Sequence, residues 1–213
     1  MAGSTGAVGT ALVQVAEARG VPFVAYVRPR RAAKGGTRED AAVFELSDEA
    51  ALVKHLQECT TVLQLIGTMR SRFSTGDTYE VSDVGTTQTL IRGAKKAGID
   101  HFVLLSSVGA GRPIGSYLKA KARAEAMVVE SGLPFTILRP SALIGRWRKV
   151  PAPLAWATRA LKLPRYQPIL VEDLVDALLD AAVRREPLGR VLEGESLWEL
   201  VRAAKRHQGE KAA

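Results

Sequence analysis

Two stretches of the chain put reactive or ligand-binding residue types at chemically useful spacings. The first, GSTGAVG, places glycine at positions 3, 6 and 9. A loop of this kind at the start of a helix suits a pyrophosphate. Its backbone can approach the ligand closely, and the helix N-terminus offers unpaired amide donors with a partial positive charge. Gly3, Ser4, Thr5, Gly6, Ala7, Val8 and Gly9 are therefore candidate phosphate-binding residues; the same pattern also serves as a tight turn packing a helix onto a sheet. Support for a ligand comes from the end of the next strand-like run. In dinucleotide-binding folds an acid about twenty residues beyond the glycines meets the ribose hydroxyls, whereas a basic residue there accommodates a 2′-phosphate. Position 28 is Arg, followed by Arg30 and Arg31. This predicts NADP, with NADPH preferred over NADH; the alternative is a solvated basic loop.

The second stretch is SSVGAGRPIGSYLKAK. Tyr117 and Lys121 stand four apart on a predicted helix, so both project from one face. An ammonium beside a phenol favours the phenolate and lowers a pKa ordinarily about 10, which makes Tyr117 a usable acid or base near neutrality. Ser107, at the end of the preceding strand, is placed to hydrogen-bond a substrate carbonyl oxygen, with Ser106 as the fallback. The plain alternative is a surface Tyr and Lys on an amphipathic helix. Position favours chemistry, because this helix leaves the same sheet edge as the glycine loop.

The elements that must hold these residues alternate. A helix after the glycines ends at Gly20, and Val21 to Val27 reads as a strand. Ala42 to Leu46 is a weaker strand, and Asp48 caps a helix carrying Leu52, Val53 and Leu56. Thr61 to Ile66 is a strand ending at Gly67, and Tyr79 to Ala97 is helical. His101 to Leu105, a helix from Tyr117 to Ser131, Pro134 to Leu138 and a short strand at Gln167 to Leu170 continue the scheme. Such alternation predicts a Rossmann-type α/β fold, a doubly wound parallel sheet in three αβα layers, with ligands at the C-terminal strand ends. That edge carries the glycine loop, Arg28, Gly67, Thr68, Ser106, Ser107 and Pro140.

Length and composition set the bounds. The 213 residues fit a single NAD(P)-binding domain over 1–207, with a small substrate-covering part over about 141–207 and a disordered tail at 208–213. No apolar run is long enough to span a membrane and no signal peptide is visible, so the expected location is cytoplasmic. The single cysteine, Cys59, fits a reducing compartment and reads as a small buried hydrophobe. The net charge of +8 raises the question of nucleic acid, but the basic residues are dispersed apart from two clusters, Arg28, Arg30, Arg31 and Lys34 early and Arg146, Arg148 and Lys149 later, and a phosphorylated small ligand explains the first better. The scattered histidines His55, His101 and His207 form no metal site. Trp147 and Trp156 either line an apolar pocket or pack helices. The expected partners are a small-molecule substrate and, on the alternative reading, a protein, with the chain a monomer or homodimer.

On these residues the chain resembles the short-chain dehydrogenase/reductase superfamily, in its atypical NAD(P)H-binding branch. GSTGAVG resembles the TGxxGxxG loop, YLKAK the YxxxK pair, and LLSSVGA the strand-end serine. FTILRPSALIG and PILVEDLVDALL are similar to later segments. LIGTMRS, HFVLLSSVGA, SYLKAKARAE and GRVLEGESLWELVRAAKRH are most similar to the Tat-interacting oxidoreductase-like members. The resemblance implies a carbonyl or quinone-like substrate reduced by NADPH, with Tyr117 donating the proton and Lys121 holding the nicotinamide ribose. The alternative is a catalytically silent NADP(H) sensor that binds a partner protein, as NmrA-like relatives do; a sugar epimerase or dehydratase is a third, smaller possibility.

The chain departs from that pattern at three points. The interval from Ser107 to Tyr117 is short, and Glu45 stands where relatives commonly place an aspartate. Only Met1 and Ala2 remain of a first, central strand, so about five to eight apolar residues are expected upstream, omitted by a start codon placed too far downstream.

Overall fold

The computed structural model describes residues 1–67, 79–145, 158, 160–161 and 163–212. Runs rich in β-branched and large apolar residues form its strands, and amphipathic segments form its helices. Helix α1 (Ala7–Ala18) buries Val8, Leu12, Val13 and Ala16 on one side. After it Gly20, at φ 61°, reverses the chain and lets the Val21 amide donate to the Ala16 carbonyl at 2.9 Å. β1 (Tyr26–Val27) leads into a short helix α2 (Pro29–Ala32) and β2 (Ala42–Val43). Helix α3 (Glu49–Leu56) is capped by Asp48, whose carboxylate accepts from the Ala51 amide at 3.0 Å.

β3 (Thr61–Gln64), a π-helical turn (Glu80–Gly85), α4 (Thr86–Ala97) and β4 (His101–Leu105) follow. Then come α5 (Gly115–Glu130), β5 (Phe135–Arg139), β6 (Leu143–Ile144), β7 (Ile169–Leu170), α6 (Val171–Arg184), β8 (Arg190–Glu193) and α7 (Glu195–Ala212).

The main sheet is parallel. β3, β4, β5 and β8 pair in that order, each junction over four residues, such as Thr61↔His101 through Gln64↔Leu104. β1 pairs with β2, and Ala2 bridges Tyr26 on one side and Gln64 on the other. The Ala2 amide donates to the Leu63 carbonyl at 2.8 Å, the Leu65 amide returns to Ala2 at 2.8 Å, and the Tyr26 amide reaches the Met1 carbonyl at 3.0 Å. The order is thus β2, β1, Ala2, β3, β4, β5, β8, the doubly wound Rossmann-type arrangement expected from the alternation.

Side chains of the central strands alternate between two apolar layers. Val103 and Leu138 face Leu12, Leu174, Leu178 and Val201 from α1, α6 and α7. Phe102, Leu104 and Ile137 face Leu52, Leu90 and Val128 from α3, α4 and α5. Full burial of each large aliphatic side chain stabilises the fold by about 1.5–3 kcal/mol.

Several elements differ from the sequence expectation. The run Val21 to Val27 forms a ladder only at Tyr26 and Val27, because the slot between it and β3 holds just Met1 and Ala2. The helix predicted from Tyr79 to Ala97 begins with the π-helical turn. β6 and β8 were not anticipated as strands. The tail predicted to be disordered from Gln208 continues α7 as far as Ala212.

Candidate functional site

A cavity of about 430 Å³ opens at the C-terminal ends of the strands. Its walls are the glycine loop, the chain just after β3 at Leu65 and Gly67, the end of β4 from Leu105 to Val108, one face of α5 at Tyr117 and Lys121, and the chain from Pro140 to Leu143. The cofactor and catalytic candidates Gly3, Gly6 to Gly9, Gly67, Ser106, Ser107, Tyr117, Lys121 and Pro140 are therefore brought together.

The glycine loop is formed as its spacing requires. Gly3 has φ 99°, and a Cβ placed on Gly9 would sit 2.0 Å from the Gly3 carbonyl oxygen, so neither position accepts a side chain without moving backbone. Gly6 caps α1 with no side-chain hydrogen bond, and no acid occupies the first turn. The amides of Ala7, Val8 and Gly9 consequently lack intrahelical acceptors and point with the positive helix end toward the cavity. A dinucleotide pyrophosphate fits this cradle on its chemistry. The Ser4 hydroxyl donates to the Tyr26 carbonyl at 2.9 Å, which ties the loop to the strand end two residues before Arg28. Thr5 is exposed on the loop.

Arg28 precedes α2, and Arg28 and Arg30 are exposed, while Arg31 is half-buried and donates to the Gly35 carbonyl at 2.9 Å. They lie past the end of β1 and outside the cavity wall. Glu45 is exposed beyond β2.

On the opposite wall, Tyr117 is half-buried, with its ring edge-on to Tyr79 at a centroid distance of 5.6 Å. Lys121 is buried and held twice. Its ammonium donates to the Leu105 carbonyl at 3.1 Å and lies 2.7 Å from Asp83 Oδ1, with that carboxylate only 1% exposed. The Ser106 hydroxyl is buried without a partner among the described residues, so a polar group in the cavity would complete it. Ser107 is half-buried, and among the described residues its hydroxyl has a single, long hydrogen bond, to the Val108 carbonyl at 3.4 Å.

Behind this wall, Arg139 pairs with Glu125 of α5 and Glu193 of β8, and Glu193 also accepts from Arg165 at 2.8 Å. This group fastens the end of β5 beneath Pro140. Thr68, Trp147, Trp156 and the basic cluster Arg146, Arg148 and Lys149 lie outside the described residues. Asp83 escaped the sequence reading: the signal was present, since a lysine predicted on an inward helix face needs an anion, but nothing in YEVSDVGTT announces a π-helical turn.

Among the described residues no cluster of His, Cys, Asp and Glu could hold a metal ion, and no helix is long and apolar enough to cross a membrane. Cys59 is free and half-buried, and burial pushes its thiol up.

Comparison with known proteins agrees with this geometry. The family model described as NAD(P)H-binding matches residues 3–150. The mitochondrial protein FMP52 of Debaryomyces hansenii is 31% identical over 153 residues, covering 69% of this chain and 67% of that protein. The chloroplastic divinyl chlorophyllide a 8-vinyl-reductase of Cucumis sativus is 26% identical over 212 residues, covering 89% of this chain and 50% of that protein. The chain thus spans between half and two thirds of the length of these two relatives. Among solved structures, gox2253 superposes with a TM-score of 0.69 at 26% identity, over 98% of this chain and 74% of that one. The oxidoreductase ylbE of Lactococcus lactis shares the fold with a TM-score of 0.66 at 19% identity, over 96% of this chain and 95% of its own. With a glycine cradle at a helix N-terminus, a parallel sheet around it and a family match over most of the chain, this protein belongs to the NAD(P)H-binding family within the short-chain dehydrogenase/reductase superfamily.

Proposed function

We propose that the protein is an NADP-dependent reductase of a small carbonyl or quinone-like compound. The observation that carries this reading is the convergence of Tyr117, Lys121 and the unpartnered Ser106 hydroxyl on the cavity that the glycine cradle also opens into. The pyrophosphate would be held by the loop from Gly3 to Gly9, with the 2′-phosphate near Arg28 and Arg30. Bound there, a reduced nicotinamide supplies hydride to a carbonyl carbon. Tyr117 delivers a proton to the carbonyl oxygen as charge develops on it, and is reprotonated from water. Ser106 or Ser107 donates a hydrogen bond to the same oxygen, and Lys121 supplies a further N–H donor at the floor. The preference for NADP rests on Arg28, Arg30 and Arg31 standing where an NAD site places an acid. The cytoplasm, which supplies NADPH and keeps Cys59 reduced, is the proposed setting.

A thermal-shift titration of the full chain with NADPH and NADH tests the cofactor, because a ligand that binds only the native state raises its stability as concentration passes Kd. NADPH is expected to stabilise at lower concentration than NADH; stabilisation by neither would end this reading. A screen of aldehydes, ketones and quinones with NADPH tests the chemistry. Turnover of any of them decides against a catalytically silent NADP(H) sensor.

A further inference from the structure

On its α5 and β8 side the cavity is rimmed by two segments. One runs from Gly109 to Ser116, between the end of β4 and α5; the other, Leu163 to Gln167, leads into β7. Glu193, at the end of β8, holds them side by side. Its carboxylate accepts from the Gly109 amide at 3.5 Å and from Arg165 Nε at 2.8 Å. A Cβ on Gly111 would stand 2.7 Å from Arg139 Nη1, and one on Gly194 would stand 3.3 Å from Arg165 Cα, so both segments are pressed onto this corner. The second segment also meets the cavity wall, where the Ser141 hydroxyl donates to the Gln167 carbonyl.

Both segments turn large apolar side chains to solvent. Ile114 is 85% exposed, Leu161, just ahead of the second segment, is 69% exposed, and Leu163 and Tyr166 are exposed as well. Cations stand among them: Arg112 is exposed two residues before Ile114, and the Arg165 guanidinium lies over the Tyr166 ring, 5.7 Å from its centre. Acids are missing from these stretches. No Asp or Glu occurs from 101 to 124 or from 131 to 171, in a chain of net charge +8. Glu193, between the segments, is paired with Arg139 and Arg165.

Apolar side chains standing out among cations suit an anionic lipid surface. The apolar tips enter the headgroup boundary, a tyrosine favours that boundary between dry and wet, and the cations meet lipid phosphates. A protein interface is built instead around a packed apolar centre depleted of charge, whereas here each apolar tip has a cation near it in the chain. We propose that this rim docks the protein peripherally on an anionic lipid surface, with Ile114, Leu161, Leu163 and Tyr166 at the headgroup level and Arg112 and Arg165 at the phosphates. Docking of this kind turns the α5 and β8 side of the cavity toward lipid. It leaves the other side free, because Arg28 lies past β1, toward the far end of the sheet. On the reductase reading, on which this consequence alone rests, the substrate class is a carbonyl or quinone that partitions into a bilayer.

Cosedimentation of the full chain with sucrose-loaded vesicles tests the docking without cofactor or substrate. Vesicles of equal parts phosphatidylcholine and phosphatidylglycerol are expected to carry the protein down, phosphatidylcholine alone to carry at least about tenfold less, and added salt to release it. Ile114→Asp is expected to lower partitioning onto the mixed vesicles at least about tenfold. Position 114 is the N-cap of α5 and makes no side-chain capping hydrogen bond, so aspartate suits the fold there. Arg112→Ala is expected to lower partitioning about fivefold. Leu163→Gln, in the second segment, is expected to lower it too, whereas Leu188→Asp is expected to leave it unchanged, since that exposed leucine precedes β8 at the opposite edge of the sheet. Absence of binding to the mixed vesicles, equal binding to both kinds, or a loss in Leu188→Asp that matches Ile114→Asp overturns the proposal. Docking with the expected pattern in a protein that reduces no aldehyde, ketone or quinone supports the rim and defeats the reductase reading instead; turnover without vesicle binding does the reverse.

Discussion

The two halves of the sheet rest on unequal foundations. From β3 to β8 every junction pairs four residues, and the strands are sealed by apolar layers on both faces. From β2 to Ala2 the ladders are two residues long at most, and a single residue joins that side to β3. Ser106, Ser107, Tyr117 and Lys121 hang from the first half. Arg28 and the tether of the glycine loop to β1 belong to the second. The residues proposed for proton transfer thus stand on the part with many interlocked hydrogen bonds, while those proposed for nucleotide grip stand partly on the part where fewer ladder bonds oppose local opening. If this division is real, substitutions on one side change turnover without affinity, and on the other affinity without turnover at saturation.

The sharpest separation is expected from Tyr117→Phe. Loss of a general acid lowers kcat by about 10²–10⁴-fold, while NADPH Kd measured by nucleotide fluorescence stays within about twofold, since the ring and its Tyr79 contact remain. An equal loss of affinity would make Tyr117 a binding residue and dissolve the division. Gly9→Ala acts on the other half. Its Cβ would stand 2.0 Å from Gly3 oxygen and 2.8 Å from Ser4 Cα, both backbone, so the loop must shift. Overpacking of this kind costs about 1–3 kcal/mol of unfolding free energy in urea, and NADPH affinity should fall by at least about tenfold with it. Arg28→Ala is milder. NADPH Kd is expected to rise about tenfold with NADH unchanged, the loss of one charged hydrogen bond to the 2′-phosphate. Equal effects on both nucleotides would place Arg28 outside the phosphate site.

The same contrast marks what could be seen in the sequence. β3, β4 and β5 were legible because each is a short apolar run, covered on both faces and closed by Gly67, Ser106 or Pro140. The site residues were legible for a related reason: parallel topology sends every strand end to one edge, so Gly3 to Gly9, Ser106 and Tyr117 had to meet once the alternation was seen. Val21 to Ala25 reads as strand by the same rule and yet makes no ladder, because pairing depends on what lies alongside and a single run contains no record of its neighbour. Asp83 was hidden differently. Its place beside Lys121 comes from a π-helical turn, one residue wider than an α-helical one, and hydrophobic periodicity is blind to a shift of that size. β8 was missed because Arg190, Val191, Leu192 and Glu193 form an edge strand with one buried residue, too short and too polar to show a period.

The smallest effect tests the foundation of the well-laddered half from its far end. His101 begins β4 and is fully buried; its Nε2 lies 2.8 Å from the Thr136 hydroxyl. That hydroxyl donates to the Pro187 carbonyl and so accepts from Nε2–H, which places a proton on Nε2; Nδ1 is buried with no acceptor for a second proton among the described residues. Burial, reinforced by the positive charge of Arg185, pushes His101 down to about 4. An unfolded histidine titrates near 6.5, so between about 6.5 and 4 the unfolded chain holds more protons than the folded one. Stability contributed by neutral His101 is therefore complete above about 6.5 and is lost progressively as pH falls toward 4. Melting temperatures measured from pH 7 to pH 4.5 should fall less steeply in His101→Phe than in wild type, by about 2–4 °C for each kcal/mol of linked stability removed. Parallel slopes would mean that the ring takes up a proton in the native state at little cost. The lower end of β4 would then be open to water, and the half of the sheet that holds Ser106, Tyr117 and Lys121 would be no firmer there than the half that holds Arg28.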